Sequence, residues 1–296
     1  MNVIDIASHQ EGIDLAAVFA QNNIDGVMVK LTQGTTYLNP LAAGWITWLR
    51  DNGKPWGTYH YLDCRGAKAE AAFYADHLQL YPGGILALDY EENAISMGTA
   101  WLKDVLDEVT RLTGVKPLVY CSLSVTTSQD FSAIASAGYR LWMAQYADMH
   151  DVYGFVEHPW QSGSCGAFGS YVMHQYTSCG RLNGYGRNLD FDKFYGTEAD
   201  WWALAAGGEP SPAPEPVPEP QPELKGPTQL VISEILHGYY GVGGAREKKL
   251  RAAGYDPQKC QAKINELYGI AAKWKQSLGG NSEYISSITY ILKEMR

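Results

Sequence analysis

Through roughly the first two hundred residues, short apolar runs alternate with stretches of helical period. The runs that read as strands are Val3–Ile6, Val27–Leu31, Trp56–Leu62, Ile85–Tyr90, Pro117–Cys121, Leu141–Tyr146, Tyr171–Tyr176 and Leu189–Phe191. Between them the spacing predicts helices over Asn39–Asn52, Lys68–Leu80, Gly98–Thr113 and Val125–Ala137. Eight strands with crossovers in so short a span predict an α/β fold, a compact parallel (β/α)8-like barrel. Ala147–Ser170 is rich in Gly, Pro and Ser and shows no helical period, so some helices of that barrel are expected to be missing. An open doubly wound sheet is the other architecture this alternation fits.

The pattern then breaks. Residues 207–227 read GGEPSPAPEPVPEPQPELKGP, with Pro at nearly every second position, which forbids a helix or a central strand and favours extended polyproline II. At about 3.1 Å per residue this is a semi-rigid linker of up to roughly 60 Å. It separates a large domain, 1–206, from a small all-α domain, 228–296. In the latter, Leu230, Ile232, Ile235 and Leu236 have helical spacing before Gly238, Gly241, Gly243 and Gly244 interrupt it. Ala245–Ala253 predicts a second short helix stopped by Gly254. Asp256 suits an N-cap and Pro257 the first turn of a third helix, with Ile264 and Leu267 inward. Ile285, Ile288, Leu292 and Met295 form a further amphipathic pattern that either packs on these helices or serves self-association.

Composition narrows the function. The 296 residues are 46% apolar with 20 Tyr and 9 Trp, enough for a sizeable core and an aromatic surplus. Sugar sites use such rings as stacking platforms, although Tyr is also ordinary core material. Residues 1–206 carry 12 Lys and Arg against 22 Asp and Glu, an acidic body that argues against nucleic acid as a partner. Residues 223–296 carry 11 basic against 7 acidic residues, which suits an anionic polymer such as a cell wall and equally an ordinary helical surface. No apolar run approaches the ~20 residues of a membrane span, so no membrane partner is expected. Asp5 interrupts the opening residues, and no signal peptide is expected. Cys64, Cys121, Cys165, Cys179 and Cys260 lack metal-ligand spacing and read as reduced thiols, with Cys165 and Cys179 able to pair in an oxidising exterior. The seven histidines show no His-x-x-x-His spacing, so neither a metal nor another cofactor is expected.

The strand Ile85–Glu91 ends on two carboxylates. Side chains alternate along a strand, so Asp89 and Glu91 point one way while Tyr90 faces the opposite layer with Leu86 and Leu88. In either architecture ligands bind at the carboxyl ends of the strands. Two acids about 6–7 Å apart repel, and partial burial raises one pKa, leaving a proton donor beside an anion. That equipment cleaves glycosidic bonds; the same residues also fit an acidic, solvated strand end. Tyr59, Tyr61, Tyr120, Trp142, Gln145, Tyr146 and Gln175 lie on or near strand ends, where they can stack on or hydrogen-bond sugar rings. Period-two alternation gives Tyr59 and Tyr61 one face and His60 the other. Trp142 and Gln145 cannot share a face of a regular strand, so at least one of them is expected in packing. Lys30 is either a charge partner of the acids or an ordinary strand-end lysine.

Seven stretches line up in order with one family: Val3-Ile4-Asp5-Ile6, Lys30 to Tyr37, Gly57 to Leu62, Leu88-Asp89-Tyr90-Glu91, Leu141 to Tyr146, His174 to Ser178, and Leu189-Asp190-Phe191-Asp192 followed by Phe194 and Gly196. Residues 1–206 thereby resemble the glycoside hydrolase family 25 muramidases, lysozymes of phages, bacteria and fungi. The resemblance implies hydrolysis of the β-1,4 bond between N-acetylmuramic acid and N-acetylglucosamine in bacterial peptidoglycan. It also implies roles: Glu91 as general acid, Asp89 as its partner, and Asp5 and Asp190 as two further acids at the mouth, which have a plainer reading as acids orienting tyrosines or capping a backbone nest. Either a second carboxylate attacks the anomeric carbon, or the substrate's N-acetyl oxygen does so with Asp89 stabilising the intermediate. Ala7-Ser8 and His174 depart from the family pattern and leave subsite details open. Residues 228–268 resemble the cell-wall-binding repeat of some phage lysozymes, present as a single copy where relatives often carry several. A phage-type endolysin of this kind is made in the host cytoplasm and acts on the wall after release. A wall-binding protein without catalysis would have no need of Glu91, and a chitinase would carry a longer acidic run where Gly83 to Leu88 stand.

Overall fold

The computed structural model describes residues 1–208 and 224–277. The chain divides into two compact units within the proline-rich stretch. The polyproline expectation for 209–223 and the amphipathic pattern Ile285 to Met295, with its self-association, lie outside the described residues.

In the first unit, β1 (Asn2–Ile6), α1 (Leu15–Gln21), β2 (Gly26–Gln33), β3 (Tyr37–Leu38), α2 (Ala42–Asp51), β4 (Trp56–Tyr61), α3 (Ala67–Leu78), β5 (Ile85–Asp89), α4 (Gly98–Thr113) and β6 (Leu118–Ser122) follow in order. Then come α5 (Leu123–Ser128), α6 (Ser132–Ser136), β7 (Leu141–Ala144), β8 (Val152–Tyr153), β9 (Met173–Leu182), β10 (Tyr185–Phe194) and α7 (Glu198–Ala205). Eight strands close a barrel in the order β1, β2, β4, β5, β6, β7, β9, β10, with β10 returning to β1. Period-two alternation sorts much of the barrel: Ile4, Val27, Val29, Leu86 and Leu88 face the helices, while Val3, Met28, Ile85, Ala87, Leu118, Trp142 and Met173 fill the interior. The covering helices present matching stripes, Trp45, Ile46 and Leu49 on α2 and Leu102, Val105, Leu106 and Val109 on α4. α4 ends where Gly114 adopts a left-handed φ of +76°.

The closing of the barrel departs from an all-parallel expectation. The barrel strands β1, β2, β4, β5, β6, β7 and β9 pair in parallel, but β9 and β10 form an antiparallel hairpin and β10 pairs antiparallel with β1. Only Asn183 and Gly184 separate them, and parallel strands need a crossover of about a dozen residues. No helix spans Ala147–Ser170, as expected; the segment holds only β8 and a 3₁₀ turn at Gly166–Phe168. The helix expected over Val125–Ala137 is two helices, α5 and α6, because the Gln129 side chain turns away to donate to the Ile95 carbonyl (2.9 Å) and accept from Tyr90 (2.8 Å). α7 stops the bottom of the barrel: Trp201 is fully buried beneath Val3, Met28 and Ile85, and its indole donates to the Trp56 carbonyl at 3.0 Å.

The second unit has α8 (Gln229–Leu236), α9 (Gly243–Ala252) and α10 (Pro257–Ser277). Val231, Ile232, Ile235, Leu250, Cys260 and Ile264 form its core. Of the helically spaced residues on α8, Leu230 is exposed, and Val231 beside it is buried. Asp256 caps α10 by accepting from the amides of Gln258 (2.8 Å) and Lys259 (3.2 Å). Lys225 pairs with Tyr255, so this unit takes in the end of the 207–227 stretch.

Candidate active site

The inward-facing positions at the carboxyl ends of the strands change from apolar to polar. β1 goes from Val3 to Asp5, β2 from Met28 to Lys30, β5 from Ala87 to Asp89 and β9 from Met173 to Gln175. Asp5, Tyr59, Asp89, Glu91, Tyr120, Trp142, Tyr146, Gln175 and Asp190 together line a cavity of about 210 Å³. A second, open groove of about 670 Å³ adjoins it; Glu91, Tyr120 and Tyr146 line both, so Glu91 stands where the two meet.

Gln175 organises the floor. Its amide donates to Asp5 (2.7 Å), and its oxygen accepts from the hydroxyls of Tyr120 (2.7 Å) and Tyr146. Trp142 is a buried wall, edge-on to Tyr120 (4.8 Å) and Tyr59 (6.0 Å), and its indole donates to Asp192 at 2.7 Å. β7 ends at Ala144, so alternation no longer governs Gln145, which lines the groove and clamps the following loop through the backbone of Ser162 (2.8 and 3.0 Å). Lys30 and Tyr61 stand beside the cavity, not in its lining: the ammonium lies 4.3 Å from the Tyr61 ring centre and donates to Gln33 at 2.8 Å. His60 faces outward, as alternation requires, into a buried chain of Thr32, His60 and Glu70 (2.8 and 3.2 Å). Glu70 also accepts the amides of Asp63 (2.8 Å) and Arg65 (2.6 Å), which fixes the loop that follows Tyr61. All five cysteines, Cys165 and Cys179 among them, are free thiols.

Burial dominates the electrostatics. It pushes Asp89 well above the ordinary carboxyl range, with Glu91 adding to the rise and Lys30 opposing it. Glu91 is raised by burial and then by the neighbouring Glu92, again against Lys30. Asp5 and Asp192 are raised by burial, Asp5 further by the charge of Asp192. Asp190 is pushed up to about 8 by burial and by Asp5 and Glu91. Lys30 thus acts on the acids as a charge while its own pKa is lowered, chiefly by burial. Such a mouth favours the protonated form of its carboxyls, and it pairs a carboxyl able to give a proton with a deeper one able to accept a hydrogen bond. Asp89 Oδ1 is buried and finds no hydrogen-bond partner in the protein.

Asp192 and Glu92 belong to this site and were not singled out among the candidates. The signal for Asp192 is its two-residue spacing from Asp190, which puts both on one face; Glu92 carries no periodic signal.

The model of glycosyl hydrolases family 25 matches residues 4–185, and that of the CW_7 repeat matches residues 229–268. The lysozyme of Streptococcus phage Cp-7 is 27% identical over 89% of this chain and 69% of its own length. That of Streptococcus phage Cp-1 is 28% identical over 48% of this chain and 43% of its own. Among solved structures, the bacterial lysozyme from Streptomyces coelicolor shares the fold with a TM-score of 0.57 at 22% identity, over 70% of this chain and 97% of that one. The CTP1L endolysin does so with a TM-score of 0.53 at 24% identity, over 70% of this chain and 69% of that one.

Proposed function

The chain belongs to glycosyl hydrolases family 25, and from that membership we propose that it is an endolysin that hydrolyses the β-1,4 bond between N-acetylmuramic acid and N-acetylglucosamine in bacterial peptidoglycan. The observation that carries this is the place of Glu91. It lies at the junction of a smaller, polar cavity and a larger groove, half-buried and with its pKa raised. A glycan threaded through both presents its scissile oxygen there, with one sugar ring in the small cavity and the leaving chain in the groove.

In this mechanism Glu91 gives its proton to the leaving oxygen as the glycosidic bond breaks. The acetamido oxygen of the ring in the cavity forms the new bond to the anomeric carbon. Asp89 accepts the acetamido N–H on its unpartnered Oδ1 and stabilises the positive charge of the oxazolinium-like intermediate. Glu91, now a carboxylate, takes a proton from the water that opens that ring. Tyr120, Tyr146, Gln175 and Asp5 form the hydrogen-bonded floor, and Asp190 faces the ring from the far strand. The CW_7 repeat holds the enzyme on the wall.

The test is digestion of purified peptidoglycan followed by borohydride reduction and mass spectrometry. New reducing-end N-acetylmuramic acid is expected; reducing-end N-acetylglucosamine would replace the proposed bond with its neighbour. Loss of cleavage on walls whose muramic acid lacks the N-acetyl group is expected of substrate assistance, and unchanged cleavage would point to a carboxylate nucleophile.

A further inference from the structure

Immediately after Glu91 the chain leaves the strand through Glu92, a non-glycine residue in the left-handed region at φ +46°. Glu91 itself is extended (φ −142°), and a 3₁₀ turn over Glu92–Met97 follows. The turn swings the Glu92 carboxylate back to the barrel rim, where the Tyr61 hydroxyl donates to Oε2 at 2.6 Å. Tyr61 in turn lies under Lys30, whose ammonium is 4.3 Å from the ring centre and donates to Gln33 rather than to Glu92. An unfavourable backbone conformation is thus kept next to the acid, and a short hydrogen bond from a neighbouring strand fixes the side chain that results.

We propose that Glu92 is a positioning residue for the general acid: held by Tyr61, its carboxylate keeps a fixed negative charge beside Glu91, so that Glu91 retains its proton until the leaving oxygen takes it. This rests on the assignment of Glu91 as the acid. The charged and titratable groups facing Glu91 are Asp5 on β1, Lys30 on β2, Tyr59 and Tyr61 on β4, Asp89 on β5, Tyr120 on β6, Tyr146 after β7 and Asp190 on β10. After burial, Glu92 is the strongest influence raising Glu91, ahead of the opposing Lys30. Asp5, Asp89 and Asp190 are themselves raised, each chiefly by burial.

The experiment is the pH dependence of peptidoglycan hydrolysis by the full chain, each alkaline limb read relative to that variant's own plateau. The acid must be protonated to work, and removing a nearby anion makes it easier to ionise. Glu92→Gln should therefore move the limb to lower pH by about one unit, a roughly tenfold loss on the falling side. Glu92→Asp, which keeps the charge, should move it less. Tyr61→Phe, which keeps the ring and frees the carboxylate, should move it the same way by a smaller amount. A limb unmoved in both Glu92→Gln and Tyr61→Phe, or moved as far by Glu92→Asp as by Glu92→Gln, overturns the proposal. Glu91→Gln is the control: if it stays active, the assignment of Glu91 fails, whereas an inactive Glu91→Gln with an unmoved Glu92→Gln limb defeats this inference alone.

Discussion

Asp190 ties the chemistry of the mouth to the stability of the protein. Its folded pKa is pushed up to about 8, above the ordinary value of an unfolded Asp. A carboxyl raised in the folded state favours folding most below its unfolded pKa and loses that advantage as pH rises through the folded one. Between pH 5 and 8 the melting temperature should therefore fall, by at least about 3 °C, and Asp190→Asn should flatten the fall; an equal slope in both proteins would contradict the electrostatic assignment. Trp142→Phe keeps an aromatic ring but leaves the buried Asp192 without its indole donor, and should cost about 1–3 kcal/mol in urea denaturation. Much of the site was legible residue by residue, because period two alone places Asp89 with Glu91 and Tyr59 with Tyr61. Glu92 was not, since it lies in a left-handed turn, where no periodicity operates.

Among the elements, the barrel strands β1, β2, β4, β5, β6 and β7 and helices α2 to α4 follow their apolar periodicity closely, since each has one face against the core and one against another layer. The hairpin of β9 and β10 does not. Its tip, Tyr185 to Asn188, extends past the barrel edge and carries no apolar alternation, so only Leu189–Phe191 read as a strand. Asn183-Gly184 was the available signal, a two-residue turn with Gly184 at φ +88°. α1 and α7 were also missed: α1 buries only Leu15 and Val18, and α7 is too short for a periodic stripe to stand out. α7 nonetheless closes the barrel floor. Trp201→Ala should cost about 3–5 kcal/mol of stability, read by denaturant midpoint with an unchanged slope. A loss below about 1 kcal/mol would mean that the floor repacks around the gap.

At the scale of the whole molecule, two units are joined by a proline-rich stretch, and the acidic charge sits with the first. Removing residues 207–296 should leave the turnover of soluble glycan fragments within about twofold while lowering the fraction of enzyme that sediments with intact walls. Equal sedimentation would deny the CW_7 repeat its anchoring role. Among the described residues no helix is long and apolar enough to cross a membrane. The proposed reaction depends on Glu91 as the proton donor at the junction of cavity and groove. The measurement that meets it most directly is the initial rate at which new reducing-end N-acetylmuramic acid appears from purified peptidoglycan, for wild type and Glu91→Gln, with wall binding and melting temperature measured on the same samples. A fall of about 10²–10⁴-fold in the variant, with binding and fold intact, is the result expected of a lost general acid; a variant within tenfold of wild type would contradict it.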